Sequence, residues 1–187
     1  MIQIKVNYEL EVLLQLLKKE MHGRELAKEL KTSLTRIQSI LNEFKHINVL
    51  DYKIEGKNHI YYVKKNLVSK TFILNAENYK LAKLLRENLT LEPIFKEIVE
   101  KYPHELIVLF GSYAKFINKK DSDIDIYIAT TDKQIKKVVE NISSSISVKI
   151  TEFNKEDLLI REIIKNHIII QGGEIFYEKL KFFKDNS

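Results

Sequence analysis

The sequence predicts an α+β protein in two parts. A small basic module of three helices closed by a strand hairpin precedes a C-terminal domain with a small mixed sheet flanked by helices. Three observations carry this reading. Apolar residues recur at helical spacing over residues 9–46 and give way to strand patterns over 48–64. The excess positive charge sits at one end: residues 1–70 hold 13 Lys and Arg against 8 Asp and Glu, whereas residues 71–187 hold 18 of each. A short apolar run ending in Gly111-Ser112 is followed, after a ten-residue spacer, by Asp123-Ile124-Asp125-Ile126. These place the basic module at 1–66, a connector with a linking helix at 67–88, and the C-terminal domain at 89–187.

Composition narrows the class. A 187-residue chain that is 44% hydrophobic can bury two small cores, and its 30% charged fraction is of mixed sign, which argues against general disorder. The absence of cysteine excludes disulfides and thiolate metal sites and fits a reducing cytoplasm. Glu9 and Glu11 interrupt the first apolar stretch, so it reads as an amphipathic helix and not as a signal peptide. No apolar run reaches the length of a membrane span. The scattered His22, His46, His59, His104 and His167 show no ligand spacing. A basic module beside a neutral one suits contact with a polyanion.

Each element of the module has its own signal. Leu10, Leu13, Leu14 and Leu17 make one face of a helix over 9–19, and Gly23 reads as a turn. Residues 24–30 read as a short second helix. Ser33 is a good N-cap for a third helix over 34–46, whose buried stripe is Leu34, Ile37, Leu41 and Phe44. Residues 48–54 and 59–64 read as strands joined by a Glu55-Gly56-Lys57-Asn58 tip. The segment from Gly23 to Asn66 resembles winged helix-turn-helix regulators of archaeal and bacterial kinds. That resemblance implies that the third helix enters the major groove of double-stranded DNA and that the hairpin is the wing. With Ser33 at the helix start, Thr35, Arg36, Gln38, Ser39 and Asn42 fall off the apolar stripe and are free to bond base edges and phosphates. Lys53, Lys57, Asn58 and His59 cluster at the wing, within reach of the backbone. Operators of two half-sites imply a homodimer.

Downstream, residues 66–76 read as a connector, and 77–88 and 90–101 as helices with Asn75 or Thr90 as caps. Pro93 lies in the first turn of the second of these, and Pro103 ends it. Residues 105–110 read as a strand. In Asp123-Ile124-Asp125-Ile126-Tyr127-Ile128 the alternation of a strand puts both carboxylates on one side. Two adjacent carboxylates resist full ionisation without a cation between them, and Mg2+ prefers such oxygen ligands together with phosphates. Glycine at a strand end lets backbone approach a phosphate, which the Ser112 hydroxyl can also hold. Residues 146–153 read as a further strand, 155–166 as a helix with Asn154 as cap, 167–171 as a strand, and 174–183 as a last helix after a Gly172-Gly173 turn.

The run from Leu109 to Ile128 resembles the minimal nucleotidyltransferases of the DNA polymerase beta superfamily, including Ser122 before the first aspartate, and the likeness extends over about residues 90–180. It implies that Gly111, Ser112 and Lys115 contact a nucleotide, with ATP the expected one, and that Asp123 and Asp125 bind Mg2+. The superfamily's third carboxylate would come from 146–153, where Glu152 is the best-placed acid and would complete a catalytic set with Asp123 and Asp125. Val148-Lys149-Ile150 fits the same pattern with lysine at the acidic position. Three functions stay open. The chain is an antitoxin-like regulator that transfers AMP to a protein hydroxyl, for instance on a partner toxin. Or it is a regulator whose second domain only senses nucleotide or dimerises, or a nucleic-acid end modifier.

Overall fold

The computed structural model describes residues 6–183, so the first five and last four residues of the expected domains lie outside the described residues. Two compact units emerge, one running to Ala76 and the other spanning Glu77–Phe182.

In the first unit, α1 (Tyr8–Lys18) is capped by Asn7, whose Oδ1 accepts from the Leu10 N–H at 3.1 Å, and it buries Val12, Leu13, Leu14 and Leu16. A two-residue strand follows, β1 (Met21–His22), and α2 (Gly23–Glu29) starts directly after it. Gly23 is therefore the first residue of a helix and not a turn. The extended backbone of β1 pairs with the hairpin, Met21 opposite Tyr61 and His22 opposite Ile60, and this redirects the chain without a glycine turn. α3 (Leu34–His46) has the expected bounds, with Ser33 Oγ accepting from the Arg36 N–H at 3.3 Å. Its buried stripe is Ile37, Ile40, Leu41 and Phe44, with Leu34 only partly covered. β2 (Leu50–Glu55) and β3 (Asn58–Val63) form an antiparallel hairpin that closes at Glu55 opposite Asn58. Gly56 takes the tip with φ 61°, a conformation favouring glycine. The sheet order is β1-β3-β2.

Residues 66–76 are not a connector. α4 runs unbroken over Leu67–Glu87, and the division between the two units falls inside it. Asn66 starts it, accepting from the Ser69 N–H at 2.8 Å, while Asn75 lies in its interior. The Thr, Phe and Ile of this stretch favour strands locally, but Ile73 and Ala76 are fully buried and Ser69 Oγ donates to the Val49 carbonyl at 2.8 Å. Packing overrides propensity here.

The second unit is built on a four-stranded mixed sheet of order β6-β5-β4-β7. After α5 (Leu91–Lys101) the chain enters β4 (Ile107–Leu109), turns through the short α6 (Gly111–Ala114), and returns antiparallel as β5 (Ile124–Ile128). α7 (Lys133–Glu140), capped by Asp132, is the crossover that makes β6 (Ile146–Ile150) parallel to β5. Its apolar pattern within 130–145 is too short to announce a helix in the sequence. α8 (Leu158–Lys165) is capped by Asp157 and not Asn154: Asp157 Oδ1 accepts from the Leu159 N–H at 2.7 Å, and Asn154 instead holds the Glu156 N–H. β7 (Ile168–Gln171) pairs antiparallel with β4, and α9 (Gly173–Lys179) follows. Ile107, Leu109, Ile124, Ile126, Ile128, Ile146 and Val148 face one core with Leu84, Phe95, Ile98 and Val139. Strand alternation then turns Asp125, Tyr127, Ser147 and Lys149 to the opposite face.

Candidate functional site

The Gly-Ser turn and the carboxylates meet. Gly111 has φ 71°, and a Cβ built there would lie 2.2 Å from Asp125 Oδ2. Only glycine lets α6 begin flush against that carboxylate, and the Phe110 N–H donating to the Asp125 carbonyl at 2.9 Å fixes the two strands at this level. Asp123 sits one residue before β5. The turn that delivers it is tied by Ser122, whose Oγ accepts from the Lys119 N–H at 2.8 Å.

The electrostatics mark this pair as short of positive charge. Burial pushes the Asp125 carboxyl above the ordinary aspartate range, the neighbouring Asp123 pushes it further, and Lys149 only partly opposes them. Among the described residues no ion pair reaches Asp123 or Asp125. Hard oxygen donors with unmatched negative charge fit a divalent cation on Asp123 and Asp125. They do not form a three-carboxylate set: among the described residues no group of three His, Cys, Asp or Glu side chains gathers for a metal. Glu152 lies beyond the strand that flanks the pair. β6 ends at Ile150, and Glu152 follows in an exposed irregular stretch, out of the strand's alternation. The position on the Asp125 face belongs to Lys149, paired across from Tyr127 and two residues beyond Ser147, the direct partner of Asp125.

Of the other sequence-predicted residues, Lys115 is engaged by Glu162 at 2.7 Å, which depresses the Glu162 carboxyl through a hydrogen bond from the lysine. In the first unit Thr35, Arg36, Gln38, Ser39, Asn42, Lys53, Lys57, Asn58 and His59 are all exposed. Several have partners. The Arg36 guanidinium lies 4.8 Å from the Tyr8 ring centroid, Lys53 pairs with Glu20 at 2.6 Å and Glu55 at 3.3 Å, and His59 stacks on Tyr52 at 4.0 Å.

Sequence reasoning missed a second charged cluster, formed by α4, the residue before β7 and α9. Glu77 of α4 is 3% exposed; its Oε1 accepts from the Tyr177 hydroxyl at 2.9 Å and faces His167 Nε2 at 3.2 Å, while Lys80 Nζ stands 2.7 Å from Oε2 as an ion pair. His167 Nδ1 faces the Ile163 and Ile164 carbonyls, so both ring nitrogens meet acceptors. Separations of 90 and 100 residues leave no local signal that could have found it.

Residues 94–177 match the family described as Polymerase beta, Nucleotidyltransferase. A protein of Methanocaldococcus jannaschii named for protein adenylyltransferase activity is 37% identical over 86 residues, covering 42% of this chain and 69% of that one. The chain belongs to the polymerase beta nucleotidyltransferase family. Nucleotidyltransferases of this family work with a divalent metal and a nucleotide. Two solved structures are similar at lower levels. A ZitR variant of Lactococcus lactis has a TM-score of 0.36 at 12% identity, covering 55% of this chain and 66% of that one. A toxin–antitoxin structure with AMP-PNP has a TM-score of 0.32 at 22% identity, covering 58% and 86%. Neither likeness is strong enough to bear on the fold or the site of this nucleotidyltransferase chain. No helix among the described residues is long and apolar enough to cross a membrane.

Proposed function

We propose that the protein is a DNA-binding regulator whose second unit binds a Mg2+–nucleotide, with ATP the expected ligand. The observation that carries the nucleotide reading is the approach of Gly111 to Asp125: a turn able to receive phosphate backs directly onto a carboxylate pair that no ion pair among the described residues reaches. Gly111 and Ser112 receive phosphate oxygens, and Asp123 and Asp125 hold the metal. A divalent cation bound there neutralises phosphate charge and polarises the phosphoryl group. Calorimetric titration of ATP with Mg2+ tests this. Wild type binds, and an Asp123→Ala/Asp125→Ala double variant loses metal-dependent binding; wild-type protein that binds no nucleotide sinks the reading.

The DNA reading is supported by the basic first unit and by helix, short helix, capped helix and hairpin in the order of a winged helix-turn-helix. The module would be 1–66, followed by a linking segment over 67–88 and the nucleotidyltransferase domain over 89–187. In this reading α3 presents Thr35, Arg36, Gln38, Ser39 and Asn42 to the major groove of double-stranded DNA. The wing presents Lys57 and Asn58, and Lys53 is released from its exposed ion pairs at little cost. Arg36→Ala weakens binding by about 1–3 kcal/mol if the arginine reads a base. An unchanged affinity and salt slope in a binding titration would remove α3 as the recognition helix. A homodimer and a cytoplasmic location accompany this proposal.

A second reading has one observation in its favour, the name of the Methanocaldococcus jannaschii relative. The second unit would then transfer AMP to a protein hydroxyl, with a partner toxin as one acceptor. In that reading Glu152, beyond the end of β6, would join Asp123 and Asp125 as the third carboxylate.

A further inference from the structure

We infer that Lys149 serves as a built-in cation of the Asp123–Asp125 centre, so that the site takes one divalent metal with a nucleoside triphosphate and Lys149 takes the phosphate charge that a second metal would otherwise meet. The inference rests on the nucleotide reading and deepens it.

The argument starts from register. β5 and β6 run parallel with Asp125 opposite Ser147 and Tyr127 opposite Lys149. Residues 124, 126 and 128 of β5 and 146 and 148 of β6 face the core, so 125, 127, 147 and 149 share the other face. On that face Tyr127 is fully buried and its hydroxyl is spent on the Thr151 carbonyl at 3.0 Å. The polar groups left for a ligand are the two aspartates, Ser147 and Lys149. Lys149 is exposed and no carboxylate among the described residues lies within ion-pair distance of it, unlike Lys115, which Glu162 holds.

Charge arithmetic then sets the ligand. Two carboxylates and one ammonium carry one net negative charge, enough to attract one divalent ion and too little to hold two without a further anion. A triphosphate supplies that anion, and an ammonium on a flexible stem is a suitable point contact for its oxygens. A lysine in this place also repels a metal from the space beside Asp125, so metal binding without nucleotide is weak.

The test uses the full chain, Mn2+ as the metal probe followed by electron paramagnetic resonance of the free ion, and a non-hydrolysable ATP analogue followed by calorimetry. The variants are Lys149→Gln and Lys149→Asp; the residue is exposed, so thermal melts serve to confirm intact folding. Expected are one Mn2+ per wild-type chain with the analogue present, and two in Lys149→Asp. Without nucleotide, Lys149→Asp binds Mn2+ more tightly than wild type. Lys149→Gln weakens the analogue on the order of tenfold, the scale of one charge-assisted hydrogen bond. Two Mn2+ in wild type, or unchanged metal and analogue binding in both variants, overturns the inference; a lysine that only guards an edge strand gives that second outcome. The nucleotide-free metal measurement separates the two levels. If wild type binds no analogue, the nucleotide reading fails, and the gain of Mn2+ binding in Lys149→Asp still decides whether Lys149 stands in for a cation.

Discussion

Glu77 and Asp125 are two acidic side chains on the same unit, and the fold treats them in opposite ways. Glu77 is more deeply buried, yet His167, Lys80 and Tyr177 meet its oxygens. Burial alone would raise its carboxyl, but His167 first and Lys80 next more than offset this and bring it down to about 2. Asp125 is less buried and its carboxyl is raised, because burial and Asp123 act against the charge with only Lys149 opposing. A charge that the chain neutralises within itself is a structural element. One that the chain leaves short of partners is waiting for something from outside.

The largest effect is expected at the satisfied site. Removing Glu77 takes away the carboxylate that accepts from Tyr177, faces His167 and pairs with Lys80 in the interior, and loss of one partner of a buried ionic cluster costs roughly 3–5 kcal/mol. Glu77→Ala should destabilise the fold by that margin, read as a clearly lower melting temperature, while leaving any metal affinity of folded protein at the Asp pair unchanged. The same group sets an acid limit. Its folded value lies below the unfolded one, so its contribution is fully present above about 4.5 and is lost as pH falls towards about 2. That contribution is on the order of 3 kcal/mol. Chemical denaturation across that window should show a slope that Glu77→Gln removes; an unchanged slope would mean the cluster is not the acid-sensitive element.

The contrast also explains what the sequence could tell. Local signals were legible: Ser33 as a cap three residues before Arg36, the helical stripe ending at Phe44, Gly56 at the hairpin tip, and the Gly-Ser to Asp-Ile-Asp spacing. Each depends on neighbours within a few positions. What was not legible depends on distant ones. Residues 67–76 became helix because of burial against the Val49 region, and β1 exists only because β3 lies beside it. That Lys149 shares the Asp125 face follows from the parallel pairing of β5 and β6, and the crossover that makes them parallel is α7, an eight-residue helix too short to announce itself by periodicity.

A middle-sized effect is expected where the unsatisfied site is built. Gly111→Ala introduces a Cβ 2.2 Å from Asp125 Oδ2 at a backbone φ of 71°. The left-handed conformation alone costs an L-residue about 1–2 kcal/mol, and the clash must displace the Asp125 carboxylate or the turn. Nucleotide binding measured by calorimetry should fall more than stability measured by melting, because the displaced atom belongs to the site. An equal fall in Gly56→Ala, where the added Cβ meets nothing within 4 Å, would show that backbone strain and not site geometry is being read.

The smallest effect has the opposite sign, and it is the sharpest form of the comparison. Asp125 has its carboxyl raised in the folded chain, so ionisation costs it stability as pH rises through and above the unfolded aspartate range. Asp125→Asn keeps the shape and removes the charge that Asp123 and burial oppose. The side chain is partly exposed, so screening holds the gain under about 1 kcal/mol. Without added metal the variant should therefore melt slightly above wild type at neutral pH and lose that advantage below the unfolded aspartate range, where wild type is protonated as well. Added divalent metal should reverse the order at neutral pH, since only wild type gains binding energy from it. A variant less stable than wild type in the absence of metal would mean that Asp125 already has its partner within the chain, and that the two acidic sites do not differ in kind.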